Sequence, residues 1–336
     1  MRVFSALRYY WPVTLFFVLV AAWSAWWIVA ASMFEDALEA MRTNGQSDVR
    51  LAYERVEIGG YPFRVEAEFR NLQMEWRGGK FRAERAIAHA LAWKLSHIVG
   101  EAGGEKALTL TTAPRETMTI TPDILRLSAI INGDGGFRVD AVFGGAQTSF
   151  ALADGRNPAL YARLFEFHAR SVEGGGADLV LAAADVELQR GFVTTLGEKI
   201  PSARFDARFK SLPPDDGAAI LSALESWPEF LARWAAAGGA VDLKSLALNW
   251  GRFEMTAKGA LTLSTDGDPE GALRLDVKGS DGLVAALREG GAPYANLAGW
   301  AVDILSLAGF AGGTADALSL PLELKDGVLS LDASPG

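Results

Sequence analysis

Residues 63–76 read FRVEAEFRNLQMEW. From Phe63 to Phe69 every second residue is apolar and the residues between them are charged, which is the period of a half-buried β-strand. Beyond Asn71 the alternation resumes one position out of phase. In a regular strand such a shift would turn the apolar side chains to the opposite face of the sheet. We therefore predict one strand with a bulge or bend near Asn71.

The same pattern of strands and turns recurs to the end of the chain. Gly78-Gly79 predicts the first hairpin turn. Residues 161–172 fit either a strand or a helix. The other predicted strands lie at residues 49–58, 116–121, 124–131, 137–143, 148–152, 179–189, 203–212, 246–250, 253–265, 271–278, 318–324 and 328–331.

Three segments carry helical patterns. In residues 218–237 the apolar side chains fall on one side of a helix, and Pro228 should kink or split that helix after Trp227. Further helices are predicted at residues 281–288 and 293–308. We expect an α+β fold in which twisted antiparallel sheets are joined by hairpins and covered by these helices.

The N-terminus contains a segment that could cross a membrane. Residues 13–31 carry no charge, and a helix of this length measures about 28 Å, close to the ~30 Å hydrocarbon core of a bilayer. Aromatic residues flank the segment at both ends, as they do at membrane interfaces. The predicted parts of the chain are a cytoplasmic N-terminus (1–11), a transmembrane helix (12–32), a helical connector (33–48) and a β-rich periplasmic domain (49–336).

The charges on either side of this segment predict its orientation. Arg2 and Arg8 precede it, and acidic residues follow it from Glu35 onwards. By the positive-inside rule the N-terminus stays in the cytoplasm, which predicts a single-pass membrane protein with the rest of the chain on the other side of the membrane. The alternative is a signal peptide cleaved at the small residues 29–31, although the apolar segment is longer than the usual h-region.

Composition narrows the classes of function. The chain has 336 residues with 41 acidic and 32 basic side chains, and its net charge of −9 argues against a nucleic-acid partner. It contains no Cys, which excludes disulfides, thiolate metal sites and Cys nucleophiles. The 36 Gly and 13 Pro favour many turns over long helices.

Three stretches together resemble one bacterial protein family. They are VEIGGYPFR at residues 56–64, the run LNWG, GALTL and GDPEGAL between residues 248 and 273, and LPLELKDG at residues 320–327. Their order is similar to that in the family called domain of unknown function 2125, and the resemblance covers nearly the whole chain. It implies a membrane-anchored envelope protein and supplies no catalytic residues. More distantly the chain resembles AsmA-like envelope proteins, which implies a role in moving or organising lipids.

We assign no catalytic, cofactor-binding or metal-ligating residue from the sequence, and we expect no cofactor. The histidines His89, His97 and His168 are not at metal-ligand spacing, and no HExxH motif occurs. The acidic loop at residues 266–270 lacks the remainder of a calcium-binding loop. The glycine runs match neither a dinucleotide fingerprint nor a phosphate loop, and there is no nucleophile elbow.

Three functional hypotheses follow from the sequence. Tryptophans outside the anchor either fill a core or line one concave sheet face, and in the second case they would form a groove for lipid or another apolar ligand. That non-enzymatic role is the first hypothesis. A scaffold for other inner-membrane proteins would present an exposed apolar patch. A periplasmic hydrolase would need paired acids in a cleft. The tryptophans outside the anchor, on which the first hypothesis depends, are Trp76, Trp93, Trp227, Trp234, Trp250 and Trp300.

Overall fold

A long N-terminal helix leads into one antiparallel sheet. Helix α1 spans Val3–Thr43 without a break, so the predicted transmembrane segment and the first part of the predicted connector belong to the same helix. The computed structural model describes residues 3–43, 49–76, 78–113, 115–133, 135–189, 196–212, 227–264, 269–279, 317–325 and 328–331. The helices predicted at 281–288 and 293–308 lie outside these residues.

Fifteen strands follow α1 among the described residues, and all belong to a single sheet. β1 and β2 both pair with β3, and from β3 onwards each strand pairs with the next one along the chain. The strands are β1 Val49–Ala52, β2 Arg55–Gly59, β3 Arg64–Trp76, β4 Gly79–Leu91, β5 Lys94–Ala113, β6 Glu116–Ile131, β7 Phe137–Ala151, β8 Ala159–Val172, β9 Gly176–Leu188, β10 Lys199–Lys210, β11 Ala240–Trp250, β12 Phe253–Leu263, β13 Pro269–Lys278, β14 Ala317–Lys325 and β15 Val328–Leu331.

The predicted α+β class is confirmed, with differences in detail. The expected sheets are one continuous meander. The strand predicted at residues 49–58 is two strands, β1 and β2. The two strands predicted within residues 116–131 form the single strand β6, and those within 137–152 form β7. The ambiguous segment 161–172 is strand β8.

The bulge or bend predicted near Asn71 corresponds to an irregular position without an extra residue, and it is one member of a series. Asn71 has a φ of 51° and is left out of the pairing of β3 with β4, which keeps the same register on both sides of it. Every strand from β3 to β10 has an irregular position, and these positions lie opposite one another across the sheet. We call this line the crease. Its residues are Asn71, Glu84, Gly104, Asp123, Gly145, Arg163, Asp185 and Pro201.

Left-handed backbone recurs along the crease in alternate strands. In β5, β7 and β9 the crease residues Gly104, Gly145 and Asp185 have φ values of 67°, 59° and 49°. Pro201 lies inside β10, where a proline is tolerated because the irregular position demands no ladder hydrogen bond. The crease is therefore a line of irregular backbone that crosses eight neighbouring strands.

Within the described residues, two helices pack against the sheet. Ala30 and Ala31 of α1 are buried against Val65, and further along the helix Phe34 and Leu38 pack on the cluster formed by β1, β3 and β4. Helix α2 spans Trp227–Ala236, and its buried side chains Phe230 and Trp234 pack against residues of β10–β12. Residues 227–236 therefore cover part of the sheet, as the apolar stripe predicts. The rest of the helix predicted at 218–237 lies largely outside the described residues.

Candidate functional site

The main candidate site is one face of the sheet, which we call the apolar face. A continuous row of directly opposed residues crosses it, one from each strand from β3 to β14, and every member is apolar. The row consists of Phe69, Ala86, Ala102, Leu125, Phe143, Phe165, Ala183, Ala203, Leu248, Met255, Val277 and Leu318.

The neighbouring row, one residue along each strand, lies on the opposite face and is mostly polar. Successive side chains point to opposite sides of a sheet, so the two rows represent the two faces at the same place along each strand. This second row consists of Glu68, Ile87, Glu101, Arg126, Val142, Glu166, Ala182, Arg204, Ala247, Thr256, Asp276 and Ser319. The sheet is therefore amphipathic across its full width.

The described helices contact the apolar face in two places. Helix α1 lies over the first strands, and α2 lies over the ends of β10–β12. Between them, the cluster around Ile120, Phe143 and Ala146 consists only of side chains from β5–β8. The next cluster, around Ala162 and Val186, consists of side chains from β8–β11. Within the described residues, no helix side chain belongs to these two central clusters.

Two polar side chains interrupt the apolar face. By register Lys106 lies opposite Ala83, and Thr148 lies opposite Ile120 and Leu160. Both are buried. The ammonium group of Lys106 donates a hydrogen bond to the carbonyl oxygen of Gly104 at the crease, at 3.1 Å. A carboxylate partner for Lys106 is not found among the described residues. The face is thus almost uniformly apolar.

The opposite, polar face is held together by ion pairs. Asp178 on β9 is the most enclosed carboxylate of this face, with its side chain 7% exposed. It accepts hydrogen bonds from Arg208 at 2.7 Å, Lys244 at 2.9 Å and Arg170 at 2.9 Å. Arg208 contributes most, followed by Lys244 and Arg170, and together they overcome the effect of burial and hold the pKa of Asp178 far below its usual range. This cluster links β8, β9, β10 and β11.

His97 and His168 form hydrogen bonds to side chains of neighbouring strands. His168 Nδ1 lies 2.7 Å from Asp140 Oδ1, and His97 Nε2 lies 3.0 Å from Ser128 Oγ. Burial raises the pKa of Asp140, but hydrogen bonds from His168 and Arg138 outweigh it and the net pKa is lowered. Among the described residues no group of three or more His, Asp or Glu could hold a metal ion. The acidic loop at 266–270 lies largely outside those residues.

The tryptophans do not line the apolar face as a group. Trp76 and Trp234 are at its margins, and Trp234, a residue of α2, is buried against the sheet with its indole N–H donating to the carbonyl oxygen of Lys210. Trp250 packs beside Val186 and donates to Gly197. Trp93 is exposed next to α1. The face is instead built from Ala, Leu, Phe and Val. The side chain of Trp227 and the whole of Trp300 lie outside the described structure.

The register of the apolar face was not predicted, although the sequence contains a signal for it. At most crease positions the flanking apolar residues are three apart, as in Phe69 and Leu72, Phe143 and Ala146, and Ala183 and Val186. Both members of such a pair lie on the same face, because the irregular position shifts the phase of the alternation by one residue. The prediction at Asn71 rests on this spacing.

These features define a class of protein: one apolar N-terminal helix followed by a large antiparallel sheet with one apolar face. The helix is long and apolar enough to cross a membrane, as a membrane anchor or a signal sequence would be. The chain belongs to the family of uncharacterized proteins conserved in bacteria, DUF2125, which matches residues 27–335. Comparison with curated proteins and with solved structures gave no match. The more distant resemblance to AsmA-like envelope proteins stays a prediction.

Proposed function

We propose that this protein is anchored in the bacterial inner membrane by α1 and that its apolar face binds the acyl chains of lipid in the periplasm. The N-terminus would be cytoplasmic, as the flanking charges predict. The sheet would act as a binding surface, without enzymatic activity. The family match is compatible with this function and does not specify it.

The observation that carries the proposal is the unbroken apolar row from Phe69 to Leu318. A soluble domain gains stability by covering such a surface, since each buried methylene contributes about 0.8 kcal/mol. An acyl chain is a flexible run of methylenes that can lie along a row of small and medium apolar side chains. Lipid is therefore the ligand class whose shape and chemistry match the face.

The packing of α1 favours a retained helix over a cleaved one. Ala30 is fully buried and Ala31 nearly so, and both contact Val65 of β3. Cleavage at residues 29–31 would separate Ala30 and the tryptophans before it from the sheet. The family match begins at Trp27 and so includes this contact region.

The described carboxylates favour a binding role over hydrolysis. Hydrogen bonds from neighbouring groups lower the pKa values of Asp140, Asp154 and Asp178, and for Asp154 the largest contribution comes from the backbone N–H of Arg156. A general acid at neutral pH requires a shift in the opposite direction. Three cationic side chains donate hydrogen bonds to the carboxylate of Asp178 and keep it ionised, so it has no proton to donate to a substrate.

The proposal is tested on the full-length chain purified from bacterial membranes in a mild detergent. Native mass spectrometry should show bound phospholipid, and the intact mass should include the N-terminal helix. Protein free of lipid would reject the binding function, and a mass lacking residues before 32 would reject the anchor. If lipid is absent but crosslinking in cells captures an inner-membrane protein, the scaffold hypothesis replaces the lipid one.

A further inference from the structure

Two hairpin tips of the sheet are fastened to α1. We call residues 60–63, between β2 and β3, and residues 91–93, between β4 and β5, the tip loops. The indole N–H groups of three helix tryptophans donate to backbone carbonyl oxygens in these loops and at Arg64, the residue that follows the first loop. The bonds are Trp23 to Pro62 at 2.9 Å, Trp26 to Ala92 at 3.0 Å and Trp27 to Arg64 at 2.8 Å.

Side-chain contacts reinforce these backbone bonds. The hydroxyl groups of Ser24 and Tyr61 are 2.9 Å apart. The rings of Trp27 and Tyr61 meet edge to face at 5.5 Å, and the rings of Trp23 and Trp93 lie 6.1 Å apart. The tip loops therefore have a fixed height along the helix, at Trp23–Trp27.

That height lies within the apolar part of α1. The uncharged stretch continues beyond Trp27 to Ala31, and Trp23 is about 12 Å from Ala31 along the helix axis. If Ala31 marks the outer boundary of the hydrocarbon, the tips lie below that boundary. If the tryptophans mark it, the tips lie at the interface, where aromatic side chains accumulate. Either placement brings the tips into contact with the outer leaflet.

The tip loops have the composition that this position requires. Their large side chains are exposed: Tyr61 by 52%, Phe63 by 67%, Leu91 by 39% and Trp93 by 57%. Neither loop contains a charged residue. Beyond the contacts that Tyr61 and Trp93 make with α1, the exposed parts of these side chains would gain free energy in a bilayer interface.

Basic residues follow both loops directly. Arg64 begins β3, where it forms an ion pair with Glu66 at 2.8 Å, and Lys94 begins β5, so a basic residue directly follows each apolar tip. Cationic side chains just outside the hydrocarbon can reach the phosphate groups of lipids. An apolar loop tip followed by basic residues is typical of surfaces that insert into membranes.

We propose that the two tip loops insert into the outer leaflet of the membrane that α1 spans, with the phospholipid bilayer itself as their partner. This proposal rests on the anchor in the proposed function and adds a second, independent membrane contact. The sheet is then held upright on the bilayer, with strands β3, β4 and β5 leading away from the leaflet. The apolar face starts beside the lipid, since Val65 and Ala90 follow the tips on that face.

The absence of Cys makes the insertion directly measurable, because any introduced thiol is unique. Phe63→Cys and Trp93→Cys place a probe on each tip loop. Leu19→Cys places one on the exposed mid-part of α1, and Ala153→Cys places one on the β7–β8 loop at the other end of the strands. Each full-length variant is labelled with an environment-sensitive fluorophore and reconstituted in phosphatidylethanolamine and phosphatidylglycerol vesicles.

Quenching by nitroxide-labelled phospholipid and by aqueous iodide gives the depth of each probe. We expect lipid quenching at positions 63 and 93 comparable to that at 19, with iodide quenching confined to 153. If the probes at 63 and 93 respond to iodide as 153 does while 19 responds to lipid, the anchor stands and the tip insertion is overturned. If 19 is not quenched by lipid, the anchor and the insertion both fail.

Discussion

The carboxylate of Asp123 on β6 occupies the space into which a side chain at Gly145 of β7 would project. Gly145 also has a left-handed backbone, with a φ of 59°. The same arrangement recurs two strands earlier, where the carboxylate of Glu84 on β4 lies over Gly104 of β5. The crease thus pairs an acidic side chain on one strand with a bare, left-handed glycine on the next.

This pairing predicts a large effect of a single methyl group. Gly145→Ala imposes the left-handed penalty of about 2 kcal/mol and also displaces the Asp123 carboxylate. We expect the free energy of unfolding to fall by at least that amount, as measured by chemical unfolding followed by circular dichroism.

The adjacent glycine provides the matched control. A Cβ added at Gly144 would meet Ile124 at an ordinary contact distance of 3.4 Å, and no left-handed φ is required there. Gly144→Ala should leave stability unchanged or raise it slightly. Equal losses in the two variants would show that crowding of β7, and not the crease, sets the cost.

The crease also shows which strand boundaries could be predicted from the sequence and which could not. Alternation located most strands, and the phase shift at Asn71 located one irregular position of the crease. At Pro122-Asp123 and Gly144-Gly145 the same kind of irregularity carries Pro, Asp and Gly, which are also turn-forming residues. The sequence therefore suggested strand ends where β6 and β7 continue, since local composition does not distinguish a bulge inside a strand from a turn between two strands.

The candidate site was harder to predict than the strands. That each strand has one apolar side follows from its own sequence, but the continuous row across β3–β14 depends on register, which is set by pairing between strands. The contacts of Trp23, Trp26 and Trp27 with the tip loops join residues far apart in the chain. In the sequence, Trp26 and Trp27 indicate only an interface belt.

Asp178 predicts a pH-dependent contribution to stability. Asp178→Asn keeps the shape of the side chain but leaves Arg170, Arg208 and Lys244 around a neutral group. Because the carboxylate is enclosed while its partners are partly exposed, we expect a loss of about 2 kcal/mol in the free energy of unfolding at pH 7.

The sign of the pH dependence follows from the lowered pKa of Asp178 in the folded state. Its stabilisation is complete above the ordinary aspartate pKa of about 4 and is lost as the pH falls through the lower folded value. The difference between wild type and variant should thus be constant from neutral pH to about pH 5 and shrink below pH 4. Asp154→Asn, in an exposed turn, is the control and should have a smaller effect. A difference that does not change with pH would contradict this assignment.

The apolar face predicts opposite outcomes for two substitutions in the same strand. Leu127 and Ile124 are both exposed residues of β6, by 40% and 51%, but Leu127 lies on the apolar face and Ile124 on the polar face. Leu127→Glu places a charge where an acyl chain would lie, and we expect about a tenfold loss of bound phospholipid, equivalent to about 1.4 kcal/mol.

Ile124→Glu changes the same kind of side chain to the same charge on the other face, and the amount of bound phospholipid should not change. Bound lipid is measured by extraction and mass spectrometry of purified protein, with circular dichroism confirming that both variants retain the sheet. Equal retention of lipid by both variants would remove the apolar face as the binding surface.

The junction between α1 and the sheet predicts that the helix is part of the folded domain. Ala30 is buried against Val65, whereas Ala25, on the same helix, is exposed. Ala30→Leu inserts a larger side chain where there is no space, at a cost of about 1–3 kcal/mol. We expect α1 to separate from β3 locally, because the overpacked contact lies between these two elements. Hydrogen exchange of residues 30–43 and of β3 should become faster in detergent-purified protein, while β12 and β13 keep their protection.

Ala25→Leu, which adds the same side chain on the exposed side, should leave exchange at both places unchanged. Unaltered protection in Ala30→Leu would mean that the helix and the sheet are not mechanically coupled at this contact.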